Sequence, residues 1–294
     1  MNLIMIKMSK DPLKDLYRLL DKQEFKSEKD LKNFLDSLLM KRIPEIKEEA
    51  LTMEERAQDL VEEAYALPIR SAIKNIDIAL NFNPDCIEAY EFMGHIQKRL
   101  DSSLAYYEKG VNIGKRIFGG NYLKMNKGHF WGLHETRPYM RCMWQYADCL
   151  YKSGRKDSCI SVLEEMIELN QNDNQGVRDQ LMLYLLEQND FKKFGRYNRL
   201  FKEVGGAFMS FNRALFAFKK TGESDRSNLL LFTAIEENKF VLPMLISSKL
   251  QTELPDSFGY GDKSEAKYYS VFAQSIWQLT PGAVKWLKKH RHSQ

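Results

Sequence analysis

Apolar residues recur three and four positions apart along most of this chain, the spacing of helices that bury one face. In AIKNIDIALNFNP, residues 72–84, Ala72 and Ile76 lie four apart, Ala79 follows three later, and Pro84 closes the segment. This spacing predicts the second helix of a hairpin: small residues admit a neighbouring helix, and proline forbids continuation. MEERAQDLVEEAYA, residues 53–66, supplies its first helix. Immediately after Pro84, Tyr90, Met93 and Gly94 offer an aromatic, an aliphatic and a small residue for the next helix, and its partner carries Ala105, 33 positions after Ala72.

That period is close to the one of tetratricopeptide (TPR) repeats. The next unit, MWQYADCLYKSGRKDSCISVLEEMIELNQND, has Ala147 as its small residue, a turn at Gly154, and Cys159 in the small position of its second helix. Cys159 follows Ala105 by 54 positions, so RIFGGNYLKMNKGHFWGLHETRP is a surplus inserted between the second and third hairpins.

Further pairs are expected in NQGVRDQLMLYLLEQ with DFKKFGRYNRLFKE, where Phe194, Tyr197 and Leu200 form an apolar stripe. AFMSFNRALFAFKK pairs with SDRSNLLLFTAIEEN, and EAKYYSVFAQSIWQL with PGAVKWLKKH. VLPMLISSKLQTELPDSFGYGD reads as a looser linker, and the basic KWLKKHRHSQ as a frayed, solvated tail. In the first fifty residues, Leu13, Leu16, Leu19 and Leu20 share one helical face, with Asp11 as N-cap and Pro12 at the first helical position. KDLKNFLDSLLMKRI repeats that style, giving two capping helices that hide the apolar face of an end repeat. No segment alternates as a strand does between turn signals. The expected fold is all-α, a TPR-like solenoid of helical hairpins with right-handed superhelical twist. Residues 1–50 cap it, 51–250 form the array with an insertion at about 117–138, and 251–294 provide a linker and further capping helices.

GHFWGLHETRPYMR, NQNDNQGVRDQL, FNRALFAF and FGYGDKSEAKYYSVFAQSIWQLTPGAVKWL, in that order, resemble a family of bacterial tetratricopeptide proteins. That family is itself similar to the eukaryotic suppressor-of-tumorigenicity-7 proteins. The likeness spans roughly residues 70–288 and leaves residues 1–50 outside. It rests on Gly128, His129, Trp131, Gly132, Glu135, Thr136, Arg137, Pro138, Tyr139 and Arg141 in the first motif, whereas His134 departs from an apolar family position. The resemblance implies a helical-repeat scaffold with no established biochemical activity, and offers no catalytic residue to transfer.

Composition narrows the partner classes. Apolar residues make up 44% of the 294-residue chain and charged residues 29%, enough for a buried core. A formal charge of +4, with Lys and Asp/Glu interleaved, implies no strong pull on nucleic acid. Lys192, Arg196, Arg199 and Lys202 do form a basic stripe, diluted by Glu187, Asp190 and Glu203. Cys86, Cys142, Cys149 and Cys159 sit among helical apolar positions without a CxxC pair, as small buried residues of a reducing compartment do. No run reaches the roughly 18 apolar residues of a membrane span, so a cytoplasmic, membrane-free protein is expected.

The chemistry-bearing residues concentrate in residues 128–141. A metal-dependent hydrolase would use His129, His134 and Glu135, but histidines five apart stand about 140° apart around a helix, off the shared face that HExxH provides. Cys142 or Cys149 as nucleophile, with His129 as base, lacks any sign of a lowered thiol pKa, and their spacing of seven is core behaviour. As a joint, Phe130 and Trp131 would plug the gap between hairpins, Glu135 would pair with Arg137 or Arg141, and Thr136 and Pro138 would start the following helix. As a contact, His129, Arg137, Tyr139 and Arg141 would line the groove, the arginine forks reading a carboxylate or phosphate. The joint comes first and the contact second, with His129, Trp131, Glu135, Arg137, Tyr139 and Arg141 as the candidate residues. The expected function is a non-catalytic scaffold that holds a protein or peptide segment, without metal or cofactor. A nucleic-acid-associated repeat protein and the hydrolase are the alternatives, and self-association into a homo-oligomer stays open.

Overall fold

The computed structural model describes residues 12–38, 46 and 50–291. The described residues are all-α, with no strand among them; one isolated antiparallel bridge joins His129 to Asn170. The chain divides into two compact units, Met1–Phe118 and Gly119–Gln294.

The first unit holds α1 (Pro12–Asp21), α2 (Glu28–Leu38), α3 (Met53–Ala64), α4 (Ile69–Phe82), α5 (Ile87–His95) and α6 (Leu100–Ile117). α3 pairs with α4, and α5 with α6, each across a short connection. Ala57, Ala64, Ala72 and Ala79, all essentially inaccessible, line the first seam together with Val61 and Ile76. Alanine adds no side chain beyond Cβ, so the backbones approach closely and the larger neighbours fill what remains. Thr52 and Glu55 form a reciprocal capping box at the start of α3.

Gly94 plays the same part in the second hairpin. A Cβ at that position would lie 2.6 Å from the buried ring of Tyr107 on α6. α5 ends at His95, five residues short of the expected Leu100, and Arg99 becomes the N-cap of α6. α1 is fixed to α3 through Arg18, which bonds Asp59 and the Glu55 carbonyl. α2 buries no residue, so it does not present the sealed apolar face expected of a cap. Asp11 and residues 39–43 of the second expected capping helix lie outside the described residues, as do the side chain of Leu13 and residues 292–294 of the basic tail.

The second unit holds α7 (Gly120–Asn126), α8 (Arg137–Lys152), α9 (Lys156–Leu169), α10 (Val177–Glu187), α11 (Phe191–Leu200), α12 (Ala207–Thr221), α13 (Asp225–Glu237), α14 (Val241–Leu245), α15 (Lys263–Leu279) and α16 (Ala283–Lys289). Sequence-adjacent helices again pack in pairs, α8 with α9, α10 with α11, α12 with α13, and α14 with α15. α10 has buried residues all round, because α9, α11, α12 and α15 each pack against it.

Three expectations are corrected here. Leu200 is 61% exposed; Phe201 occupies the buried position, which completes the face of Phe194 and Tyr197 at helical spacing. Part of the presumed linker is α14, whose Val241, Leu242 and Leu245 are buried against α15, with Pro243 in the first turn where no N–H is needed. The presumed frayed tail contains α16, whose Trp286 is buried between Phe218 and Trp277 and donates to Asn228 at 2.8 Å.

Replacing Gly94 by alanine forces either the Tyr107 ring or the α5 backbone to shift, and should destabilise the first unit by about 1–3 kcal/mol, the usual cost of overpacking. Thermal and urea unfolding of the Gly94→Ala variant measures it; unchanged stability would show that the seam does not need the missing side chain.

Candidate functional site

The dense segment 128–141 begins after α7 and ends in the first turn of α8. Gly128 adopts φ +95°, a left-handed conformation that favours glycine, and turns the chain onto the end of α9. Two backbone bonds then clamp it there: Phe130 N–H donates to the Leu169 carbonyl at 3.0 Å, and Gln171 N–H to the Gly128 carbonyl at 3.1 Å. The pair accounts for the bridge between His129 and Asn170, and satisfies a carbonyl that α9 leaves open at its C-terminus.

Phe130 is the anchor. Its side chain is 1% exposed and meets Tyr122 of α7 edge-on and Tyr139 of α8 at a tilt, with ring centroids 5.9 and 6.3 Å away. Thr136 occupies the N-cap position of α8, as expected, with Pro138 in the first turn. Its hydroxyl, however, turns away from the helix and donates to the Phe130 and Leu133 carbonyls, tying the loop to itself.

The charged residues partner differently from the expectation. Glu135 accepts from the Tyr122 hydroxyl at 2.9 Å. Arg137 donates through Nε to the Trp131 carbonyl at 3.0 Å, and its guanidinium lies over the Trp131 ring, 5.8 Å from the centroid. Burial, then the bonded Glu135 carboxylate, pushes the Tyr122 hydroxyl up to about 12. Tyr139 is buried, and its hydroxyl is pushed up by desolvation and by the carboxylate of Glu165, to which it is bonded.

Trp131, Glu135 and Arg137 are thus brought together around one loop, and Tyr139 is sealed beneath it, so Tyr139 is corrected as a contact residue. His129 and His134 are both exposed, and Arg141 is half-buried on α8. Among the described residues no three His, Cys, Asp or Glu side chains are grouped as ligands of one ion. All four cysteines are free and buried, and burial pushes the Cys149 thiol up, away from the thiolate a nucleophile needs.

A second polar cluster was not singled out in the sequence. Asp173, in a left-handed conformation at φ 48°, accepts from the backbone of Val177 and Arg178 and from the Arg178 guanidinium at 2.7 Å. Asp179 stands 3.7 Å from the same guanidinium. Glu265 of α15 is buried and accepts from Ala207 N, Gly261 N and the Asn238 amide, at 2.7 to 2.9 Å. This carboxylate pins the starts of α12 and α15 together. NQNDNQGVRD and GYGDKSE carried the residues, but asparagines and glycines dominate both, and the signal was that of turns.

Burial pushes the Asp179 carboxyl up to about 7; Arg178 opposes the shift, and Asp173 and Glu265 reinforce it. An unfolded Asp ionises near 4, so the folded chain retains this proton between about pH 4 and 7 while the unfolded chain has lost it. Stability therefore falls as pH rises through that window, and the loss remains in full above it. Asp179→Asn should be more stable than the parent at pH 8, with the difference vanishing towards pH 4; equal melting temperatures at both pH values would refute the assignment. In the loop, Phe130→Ala should cost about 3–5 kcal/mol by cavity formation, while His129→Ala should leave urea unfolding unchanged, since His129 is exposed.

Comparison with known proteins gives no match: no family model, no curated protein and no solved structure is significantly similar to this chain.

Proposed function

We propose that the protein is a non-catalytic protein–protein interaction scaffold, a TPR-like array of helical hairpins that holds a segment of a partner protein in its groove. The array carries an insertion between its second and third hairpins, and the motifs it shares in resemblance with the bacterial tetratricopeptide family make membership of that family part of the same proposal. The observation that carries the reading is the run of sequence-adjacent helix pairs, α3 with α4, α5 with α6, α8 with α9 and α12 with α13. Helix pairs of this kind bury one face against each other and leave their outer faces to a partner.

Two further features support it. The loop at 128–136 directs Phe130, Thr136 and Arg137 into its own support, while His129 and Glu135 stay at its surface. On α13, Leu229 and Phe232 lie three positions apart and are 65% and 47% exposed, apolar surface of the kind a protein partner covers.

In-cell photo-crosslinking tests the proposal. A photoreactive residue at Leu229 or at His129 should give the same recurrent protein adduct, and one at the exposed Asp157 should not. Diffuse adducts indistinguishable from those of the Asp157 control would overturn it. No helix among the described residues is long and apolar enough to cross a membrane, so the crosslinking fraction should be taken from total cell protein.

A further inference from the structure

A cleft of about 170 Å³ opens between α11, α12 and α13, lined by Asn198, Arg213, Phe216, Lys220, Thr221, Arg226 and the apolar Ala217 and Leu230. Three cations face it, and no acidic residue lines it. Arg213 is held in place by neutral acceptors only: Nε donates to the Asn198 side chain at 2.9 Å, and Nη2 to the Phe201 and Lys202 carbonyls at 2.9 and 3.1 Å. Nη1 is left over from that set. Lys220 lies over the Phe216 ring, 5.4 Å from the centroid, and Arg226 is exposed. Among the described residues, none of the three forms an ion pair with a carboxylate.

Part of this arrangement serves the fold. Arg213 satisfies the open carbonyls at the end of α11, and Lys220 sits in the last turn of α12, where the helix dipole favours a cation. Arg226 has no such reason. It occupies the first turn of α13, the positive end of that helix, where a cation is disfavoured. Burial also pushes the Arg213 guanidinium below its ordinary value; Glu237 and Glu203 oppose this from beyond ion-pair distance. Excess positive charge has been gathered around one small recess with an aromatic and aliphatic floor.

We infer that this cleft is a phosphomonoester-binding site, in which Arg226, Lys220 and the remaining Arg213 N–H surround a dianionic phosphoryl group and Phe216, Ala217 and Leu230 hold the carbon attached to it. Guanidinium groups bind phosphoryl oxygens through charge-assisted, often paired hydrogen bonds, and the Asn198 Nδ2 group, whose Oδ1 already accepts from Arg213, adds a neutral donor. The volume is below that of sites that engulf a whole cofactor, which matches one group and its nearest carbons. Two sources present this chemistry: a free phosphorylated metabolite, or a phosphorylated side chain of a protein partner. The site does not depend on the scaffold reading, because either source would fill it.

Calorimetric titration of the full chain at constant ionic strength tests the inference, with phenyl phosphate, benzoate and a short phosphoserine peptide as probes. Phenyl phosphate should bind one to one, and at least tenfold more tightly than benzoate. The double variant Lys220→Gln, Arg226→Gln should lose that binding by tenfold or more with a melting temperature close to the parent's, since neither side chain is buried and the two helix-dipole effects have opposite signs. The phosphopeptide distinguishes the sources: tighter binding than phenyl phosphate identifies a protein-borne phosphate, and equal or weaker binding a free one. Absence of saturable phenyl phosphate binding, equal affinity for benzoate, or undiminished binding by the double variant would each overturn the site. Arg213 is left intact because its loss would free the end of α11.

Discussion

Close approach between neighbouring helices is the constraint from which the rest of this structure follows. Each helix presents an apolar stripe that water disfavours, and the nearest element able to cover it is the helix before or after it in the chain. Alanines at 57, 64, 72 and 79 let α3 and α4 meet backbone to backbone, and Gly94 lets the Tyr107 ring lie against α5. Where the seam residues are larger, as in α10, the helix is wrapped by several neighbours at once. Local pairing covers the helices; the segments that join the pairs need partners of their own.

The dense segment shows how such a segment is stabilised. A left-handed glycine, two backbone bonds to the end of α9 and one buried phenylalanine fix its course, and the Thr136 hydroxyl ties the loop from inside. Arg137 and Glu135 satisfy their hydrogen bonds within that frame. Side-chain density here answers the loop's need for internal partners, since a loop without regular structure must pair its backbone groups locally. The same residue types that suggest a reactive centre in a linear reading are those that hold a compact turn together.

Charge is distributed by a different logic in the second unit. Acidic groups are drawn inward: Glu265 receives three N–H donors and joins the starts of two helices, and Asp173 and Asp179 share Arg178. Arg213, Lys220 and Arg226 face one recess and, among the described residues, form no ion pair with a carboxylate. Within a largely apolar core, the acids form a bonded polar cluster, and the cations of the recess give it a net positive charge.

Helix content, the pairing of neighbours and most of the small residues at their seams were legible in the sequence, because helical periodicity and side-chain size are local properties. Ala105, expected in the seam, is exposed, and Leu104 and Tyr107 of α6 are buried instead. The burial of Phe130 and the start of α8 near Thr136 and Pro138 followed from the same local rules, whereas the burial of Tyr139 did not. The partners of Glu135 and Arg137, the embedding of Trp286, the outward turn of Leu200, and the assembly of Asp173, Asp179 and Glu265 did not. Those depend on which side of each helix meets a distant segment, and Glu265 bonds Ala207 across 58 positions. A linear pattern specifies which faces must be covered; only the packed chain decides what covers them, because burial and hydrogen bonding are set by contacts between residues far apart in sequence.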